Sequence, residues 1–528
     1  RQSVLLSIVD ATHISSGTAE TVLFYDGPDS SSSSSRSPPP TPDQLQAALA
    51  RTLDAYPQWC GRLYRQPGRP GRLMLTFGGA GIDDIHGSDP GVVFLVARAD
   101  CPLVDLVPPV HQRAPAWDVS AFPLALLMPQ LTLSVSNLND PALPSVAVQV
   151  TSFTCGGMAV ALKISHPLAD ATSLAGFVLD WAANTQQQQQ QQQRQSYNSN
   201  IEAPIFDPEL LDRCAAGDPN HPDPEPQLVA RALALPCLRY DTWISHEGCP
   251  FPARWTEIPE EFRSLPADPP GQRVPWEEWD LKAPVARYVI HFSQGDLQRL
   301  WQEATSSTAA GKEVSDTTLK FSYHDALVAH VWSCVNRARR QIEVSETNVT
   351  DDNATVYLNY TLGIRKRTHP PLPDRFVGSP TVAAAISATS QQVCSEETDT
   401  LAHLATRIRK TVALFTSDNL AAHLHMKLHE QCPQRMWPSF PGRRHLVVTS
   451  WVRTRLYEAD FGSGTPRYVK GVMPSVDGML HVMEGAPKVT AACLSSSTAS
   501  HWTDHGVDVQ LHLAKGAMKN LLQDPTFW

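Results

Sequence analysis

Between residues 201 and 280 the chain carries 14 of its 44 prolines. That density excludes long helices and central strands there, because proline lacks a backbone N–H and locks φ. The segment therefore reads as an irregular crossover in a chain whose length suggests roughly two to four folding units. Trp243, Trp255, Trp276 and Trp279 lie in the same stretch. A free linker would leave four indoles in water, so the segment is expected to wrap the surface and pack through its aromatics. The expected division is residues 1–200, a crossover over 201–285 and residues 286–528. A chain of 528 residues has room for this, at roughly 100–200 residues per domain.

Both flanks alternate strand and helix signals, which places the fold in the α/β class. Residues 1–26 alternate apolar and polar around LSIVDATH and TVLFYD, a pattern for two strands. Ser30–Ser35 and Pro38–Pro40 then interrupt it as a surface insertion. LQAALARTLDAY has helical spacing after a Thr-Pro-Asp cap signal, and WCGRLYR and GRLMLTF return to period two. Residues 145–166 read as a hairpin turning at Cys155-Gly156-Gly157, followed by a helix from about Thr172. That helix runs into Gln186–Gln193, a tract that packs against nothing obvious and ends the first domain. Beyond the crossover, ARYVIHFS, GDLQRLWQEAT and FSYHDALVAHVWSCVNRAR predict strand, helix and long helix. GVDVQLHLAKGAMKNLLQD repeats strand and helix at the end.

Several functions are excluded early. A formal charge of −10 without a basic run leaves nucleic acid little to bind, and no 18-residue apolar run predicts a membrane span. Ten cysteines occur without a C-x-x-C pair, which reads as reduced, packed thiols. His425, His429 and Cys432 have ligand-like spacing but neither a fourth ligand nor a glutamate between the histidines, so no metal is expected. The sequons at Asn348, Asn353 and Asn359 would matter only in a secreted protein. With no signal-peptide pattern, a cytoplasmic location is expected.

The chemistry concentrates at His166. It ends a strand and precedes Pro167, which holds it extended at a place where α/β folds present reactive groups. Asp170 follows four residues later at the helix start, where a carboxylate can cap backbone N–H groups. Alone, the pair is weak, since 19 histidines make such spacings common and a hydrogen-bonded strand end with an ordinary cap is the favoured explanation. The preceding Cys-Gly-Gly turn, the following helix and a distant DFGSG at Asp460–Gly464 strengthen it.

TSFTCGG with SHPLADATSLAGFVLDWA resembles the His-x-x-x-Asp region of the BAHD acyl-CoA-dependent acyltransferases. VVTSWVRTRLYEADFGSGTP (447–466) resembles the region of their Asp-Phe-Gly-Trp-Gly motif. LSIVD (6–10), TLDAYPQWCGRL (52–63), DALVAHVWSCVNRAR (325–339) and LGIRKRTHPPLPDRFVG (362–378) extend the likeness over nearly the whole chain. The low-complexity inserts suit a fungal member. Ser463 stands where the motif has tryptophan, which loses buried apolar area, and Ala171 stands where glycine commonly follows the aspartate.

The resemblance implies two chloramphenicol-acetyltransferase-like α/β domains with mixed sheets and flanking helices, and a channel meeting at His166. By it, His166 is the general base that deprotonates an alcohol or amine as it attacks an acyl-CoA thioester. A free imidazole of pKa about 6.5 suits that task, worth ~10²–10⁴ in rate. Asp170 is implied to be structural and paired with Arg365, in preference to an Asp–His dyad. Asp460, Gly462 and Gly464 are implied to support the fold, and Thr449, Ser450 and Trp451 to line the channel. Lys366 and Arg367 beside Arg365 read as a solvated face rather than a phosphate site. His324, His330, His369 and Cys155 rank lower as site residues. The implied partners are acyl-CoA and a small alcohol or amine acting on a monomer, with no bound cofactor, metal or membrane. The rivals are an N-acyltransferase of the same family, a non-catalytic binding protein and a peptide condensation domain. The last carries paired histidines and a glycine after the aspartate, where Ser165 and Ala171 stand here.

Overall fold

Two mixed sheets organise the chain, each completed by a strand from the other half. The computed structural model describes all residues except 29–37, 79–88, 132, 134–142, 193–201, 219–220, 310–319, 348–349 and 488–500. The Ser30–Ser35 tract, Gln193, Asn348 and Cys493 lie outside the described residues.

The first sheet has the order Tyr468–Gly471, Thr18–Tyr25, Met158–Ser165, Val146–Phe153, Val92–Ala99. Val146–Phe153 and Met158–Ser165 form the antiparallel hairpin, and Gly156 at its turn has φ +75°, which a residue with a side chain rarely adopts. Helix Pro42–Leu53 begins with a full capping box, Thr41 bonding the Gln44 amide and Gln44 bonding back. It packs on helix Ala171–Gln192, where the Trp181 indole donates to Leu45 O at 3.0 Å. Trp59, Phe177 and Trp181 are fully buried between them.

The second sheet has seven strands: Thr381–Thr389, Thr355–Gly363, His445–Ser450, Met479–Glu484, Val507–Ala514, Val285–Phe292 and Ala116–Asp118. Its second, third and fourth strands, Thr355–Gly363, His445–Ser450 and Met479–Glu484, run parallel, and the rest pair antiparallel. Helix Tyr323–Thr347 packs its apolar face, including Trp332, into the larger core. Ala116–Asp118 therefore belongs to the second sheet and Tyr468–Gly471 to the first, so each half anchors the other.

Two local expectations need correction. Residues 8–12 form a helix, not a strand: Ser7 Oγ accepts the Asp10 amide at 3.0 Å, and this cap outweighs the alternating pattern. The glutamine tract continues the helix to Gln192, and Gln186 Nε2 donates to Asp460 O at 2.7 Å, so it does pack.

In the crossover, Tyr240, Val274 and Trp276 bury with Phe440, and Phe251, Trp279 and Trp437 close round them. Trp243 lies against Phe262 under the Arg435 guanidinium, whereas Trp255 is 58% exposed. His425 uses Nδ1 on Ala216 O and Nε2 on the Glu225 amide, and His429 uses its nitrogens on His425 O and His221 O. Both rings thus tie loops to the helix Ser417–His429. No group of three metal-ligating side chains occurs among the described residues.

Candidate active site

His166 opens a short turn directly after strand Met158–Ser165, and its backbone N–H donates to Gly17 O at 3.1 Å. Ser379, in the second half of the chain, decides its protonation pattern. The Ser379 hydroxyl lies 2.6 Å from His166 O, to which it donates, and 3.0 Å from His166 Nδ1. Having spent its one hydrogen, that hydroxyl accepts from Nδ1–H, which leaves the lone pair on Nε2. Ser379 is held in turn by Asp10, whose Oδ1 accepts the Ser379 amide at 2.5 Å and whose Oδ2 accepts the Ser7 hydroxyl at 2.6 Å. Burial pushes the Asp10 carboxyl up to about 7.

His13 stacks on His166, centroids 4.7 Å apart and planes at 19°, with Nε2 3.0 Å from Thr381 Oγ1. Burial, then the neighbouring His166, lowers His13 to about 3, so it stays neutral. Burial also lowers His166, while Asp170 pulls the other way. A free base at neutral pH follows.

Asp170 is 5% exposed. Its oxygens take Arg365 Nη1, Arg365 Nη2 at 2.9 Å and the Ser173 amide at 3.0 Å. Burial would raise this carboxyl, but Arg365 and the Ser173 amide outweigh it and hold it below the usual range. Arg365 also reaches Gly378 O and Phe376 O. A Cβ on Gly378 would stand 3.1 Å from Asp10 Oδ1 and 3.0 Å from the Phe376 ring, so this close approach suits glycine.

A cavity of about 440 Å³ opens between the two sheets, and His166, Asp170, Arg365, Thr449, Ser450 and Trp451 all line it, with His13 and Thr381. Thr449 and Ser450 end strand His445–Ser450. Ser450 Oγ is 3.0 Å from His324 Nε2, and Tyr360 hydroxyl is 2.8 Å from His324 Nδ1. Trp451 meets His481 edge to face at 5.1 Å. Lys366 pairs with Asp374 on the surface, and Arg367 Nη1 donates to Val412 O at 3.3 Å.

Asp460, Gly462 and Gly464 lie apart from these lining residues. Asp460 Oδ1 accepts the amides of Gly462 at 2.7 Å and Gly464 at 2.8 Å, and both glycines adopt φ +104°. The Gln189 amide sits where a Gly462 side chain would be. Ser463 is buried and its hydroxyl has no hydrogen-bond partner among the described residues.

Sequence reasoning missed Ser379, His13 and Asp10 as part of this site. Ser379 stands one residue beyond the FVG that closes LGIRKRTHPPLPDRFVG, and nothing local marks a contact across 213 residues. His13 ends LSIVDATH, where the cap signal of Ser7 was the available clue.

A family model described as Transferase family matches residues 1–226 and 260–527. The chain belongs to the BAHD acyltransferase family. It is therefore an acyltransferase, of the kind that transfers groups other than aminoacyl groups. "Acyltransferase AFT15-1" of Alternaria alternata is 25% identical over 538 residues, spanning 99% of this chain and 93% of that protein. "Acyltransferase abl6" of Leptosphaeria maculans is 27% identical over 494 residues, spanning 91% and 87%. The structure of F. sporotrichioides TRI101, complexed with coenzyme A and T-2, superposes at TM-score 0.64 with 15% identity, over 100% of this chain and 98% of that one. This likeness establishes the fold, two chloramphenicol-acetyltransferase-like domains. No helix among the described residues is long and apolar enough to cross a membrane.

Proposed function

We propose that this acyltransferase moves an acyl group from a CoA thioester to a hydroxyl of a small molecule, with His166 Nε2 as general base. The observation that carries the reading is the Ser379 hydroxyl, which donates to His166 O and so accepts from Nδ1–H. Nε2 is then the nitrogen with a lone pair, on a ring that lines the cavity between the lobes.

The acceptor O–H gives its proton to Nε2 as its oxygen bonds to the thioester carbonyl carbon. The tetrahedral intermediate then collapses, the C–S bond breaks, and the departing CoA sulfur takes the proton back from the imidazolium. Proton transfer of this kind supplies ~10²–10⁴ in rate, and holding both substrates in one cavity adds proximity. Asp170 and Arg365 hold the turn that carries His166 rather than relaying a proton, since both Asp170 oxygens are engaged by Arg365 and Ser173. Thr449, Ser450 and Trp451 contact the substrates, and Asp460, Gly462 and Gly464 support the fold. An amine acceptor would use the same base. The reading carries with it a monomer working in the cytoplasm, its co-substrate acyl-CoA.

The test is transfer from acetyl-CoA to a panel of alcohols and amines by the wild type and by His166→Ala. A loss of ~10²–10⁴ in kcat is expected. Comparable specific activities would remove His166 as the base.

A further inference from the structure

One wall of the cavity carries charge that acyl transfer at His166 does not use. Helix Ser417–His429 presents His423 and Lys427 to it, one turn apart, and Arg239 joins them from the crossover. The two cations share one carboxylate: Lys427 Nζ is 2.8 Å from Glu430 Oε2, and Arg239 Nη1 pairs with Glu430 Oε1. Glu430 does not line the cavity, and its side chain is 4% exposed against 12% for Arg239 and 14% for Lys427. Two positive charges against one negative leave a net unit positive charge at this wall.

The surroundings sharpen the point. His423 is 7% exposed, and among the described residues neither its Nδ1 nor Arg239 Nε has a hydrogen-bond partner. Burial, then Lys427, lowers His423 to about 3, so it is a neutral polar group and not a third cation. Leu233, Leu235, Leu238, Met426 and Met436 also line the cavity. Arg365 also lines the cavity, but Asp170 neutralises it. An uncompensated charge beside an apolar cavity is unfavourable until an anion meets it. The phosphates of CoA carry several charges and need an open basic surface, whereas one net charge among leucines and methionines suits a single carboxylate on an apolar chain.

We infer that Arg239, His423 and Lys427 form a subsite for one carboxylate borne by a substrate. The inference rests on the acyl-transfer reading and narrows its substrate class. The carboxylate has two possible sources, the far end of a dicarboxylic acyl group or a hydroxy acid acceptor.

Binding of decanoate and methyl decanoate to the full chain, followed by tryptophan fluorescence, tests the subsite without turnover. The wild type is expected to prefer the acid by roughly tenfold or more, the scale of one charge-assisted hydrogen bond. In Lys427→Met, Glu430 keeps Arg239 and the net charge vanishes, so the acid-to-ester ratio should fall to about one. In Glu430→Gln the net charge rises and the ratio should grow, an opposite response that still decides the matter if one variant fails to fold. An equal preference in the wild type and Lys427→Met overturns the inference. So does a rise in KM for acetyl-CoA in Lys427→Met as large as its loss of decanoate affinity, which would assign the charge to CoA phosphate.

Turnover identifies the source. Succinyl-CoA is compared with butyryl-CoA toward one neutral alcohol, and 10-hydroxydecanoate with its methyl ester toward acetyl-CoA. The pair whose ratio depends on Lys427 names the carboxylate-bearing substrate, and dependence in neither active pair overturns the inference. Lys427-dependent binding of decanoate with no transfer in any pair would leave the subsite standing and remove the acyl-transfer reading instead.

Discussion

The His166 turn and the Asp460 turn are built from similar parts and stabilised in opposite ways. Each has an aspartate whose Oδ1 accepts a nearby backbone amide, from Ser173 in one case and from Gly462 and Gly464 in the other. The Asp460 turn closes on itself. Phe461 is fully buried edge-on against Tyr25 and Trp181, and the glutamine helix covers the backbone. The His166 turn is held from far along the chain by Gly17, Arg365, Gly378 and Ser379, and one side of it faces the cavity. A turn open to a cavity cannot be packed on all sides, so distant hydrogen bonds must carry more of the rigidity there than at Asp460, where burial of Phe461 adds to the bonds from Gln186 and Tyr25.

The largest expected effect tests that dependence. Arg365→Met leaves the Asp170 carboxylate buried without its cation, which should cost about 3–5 kcal/mol in denaturant unfolding near neutral pH. The pH dependence has a definite sign. In the wild type the carboxyl lies below its ordinary value, so its contribution is present above pH 3.8 and is lost as pH falls through the folded value. Without Arg365, burial pushes the carboxyl upward, so the variant's deficit should shrink as pH is lowered toward 5. A cost under about 1 kcal/mol, flat with pH, would mean that the His166 turn supports itself and would break the comparison.

The contrast between the turns also explains what could be read in advance. Short-range signals were legible: the Thr41 capping box, the hairpin at Gly156, and the strand and helix that close the chain. The candidate residues at 166, 170, 365 and 449–451 do meet on one cavity. What escaped was long-range. Nothing local says that Ala116–Asp118 joins the second sheet, or that Ser379 reaches back to His166. The glutamine tract looked inert because glutamine has no hydrophobic periodicity, yet its amides serve the Asp460 loop. At residues 8–12 the alternating pattern competed with a serine cap, and the cap won.

A smaller effect is expected at Ser379. Ser379→Ala removes the acceptor for His166 Nδ1–H and frees the ring to exchange tautomers. We expect kcat to fall by about tenfold, the scale of one net hydrogen bond, with KM for acetyl-CoA within about twofold. The lost acceptor also favoured the protonated ring. The acidic limb of the kcat/KM profile, already below the ordinary histidine value because burial lowers His166, should therefore move lower still. A purely structural serine would change neither the limb nor the split between kcat and KM. An unchanged profile with unchanged kcat would show that the ring needs no help from the second lobe.

The smallest effect lies in the closed turn. Ser463 is 5% exposed, and its buried hydroxyl has no partner among the described residues, so their hydrogen bonds leave its desolvation uncompensated. Ser463→Ala keeps the backbone and deletes only the stranded oxygen. It should raise the urea midpoint by the equivalent of about 1 kcal/mol, because relief of desolvation outweighs the few dispersion contacts one atom makes. Ser463 does not line the cavity, so the rate should stay as it was. A rise in stability with constant kinetics would show that the Asp460 turn carries slack that the His166 turn lacks. A fall in stability would mean that the hydroxyl has found a partner, and the two turns would then be equally dependent on polar contacts.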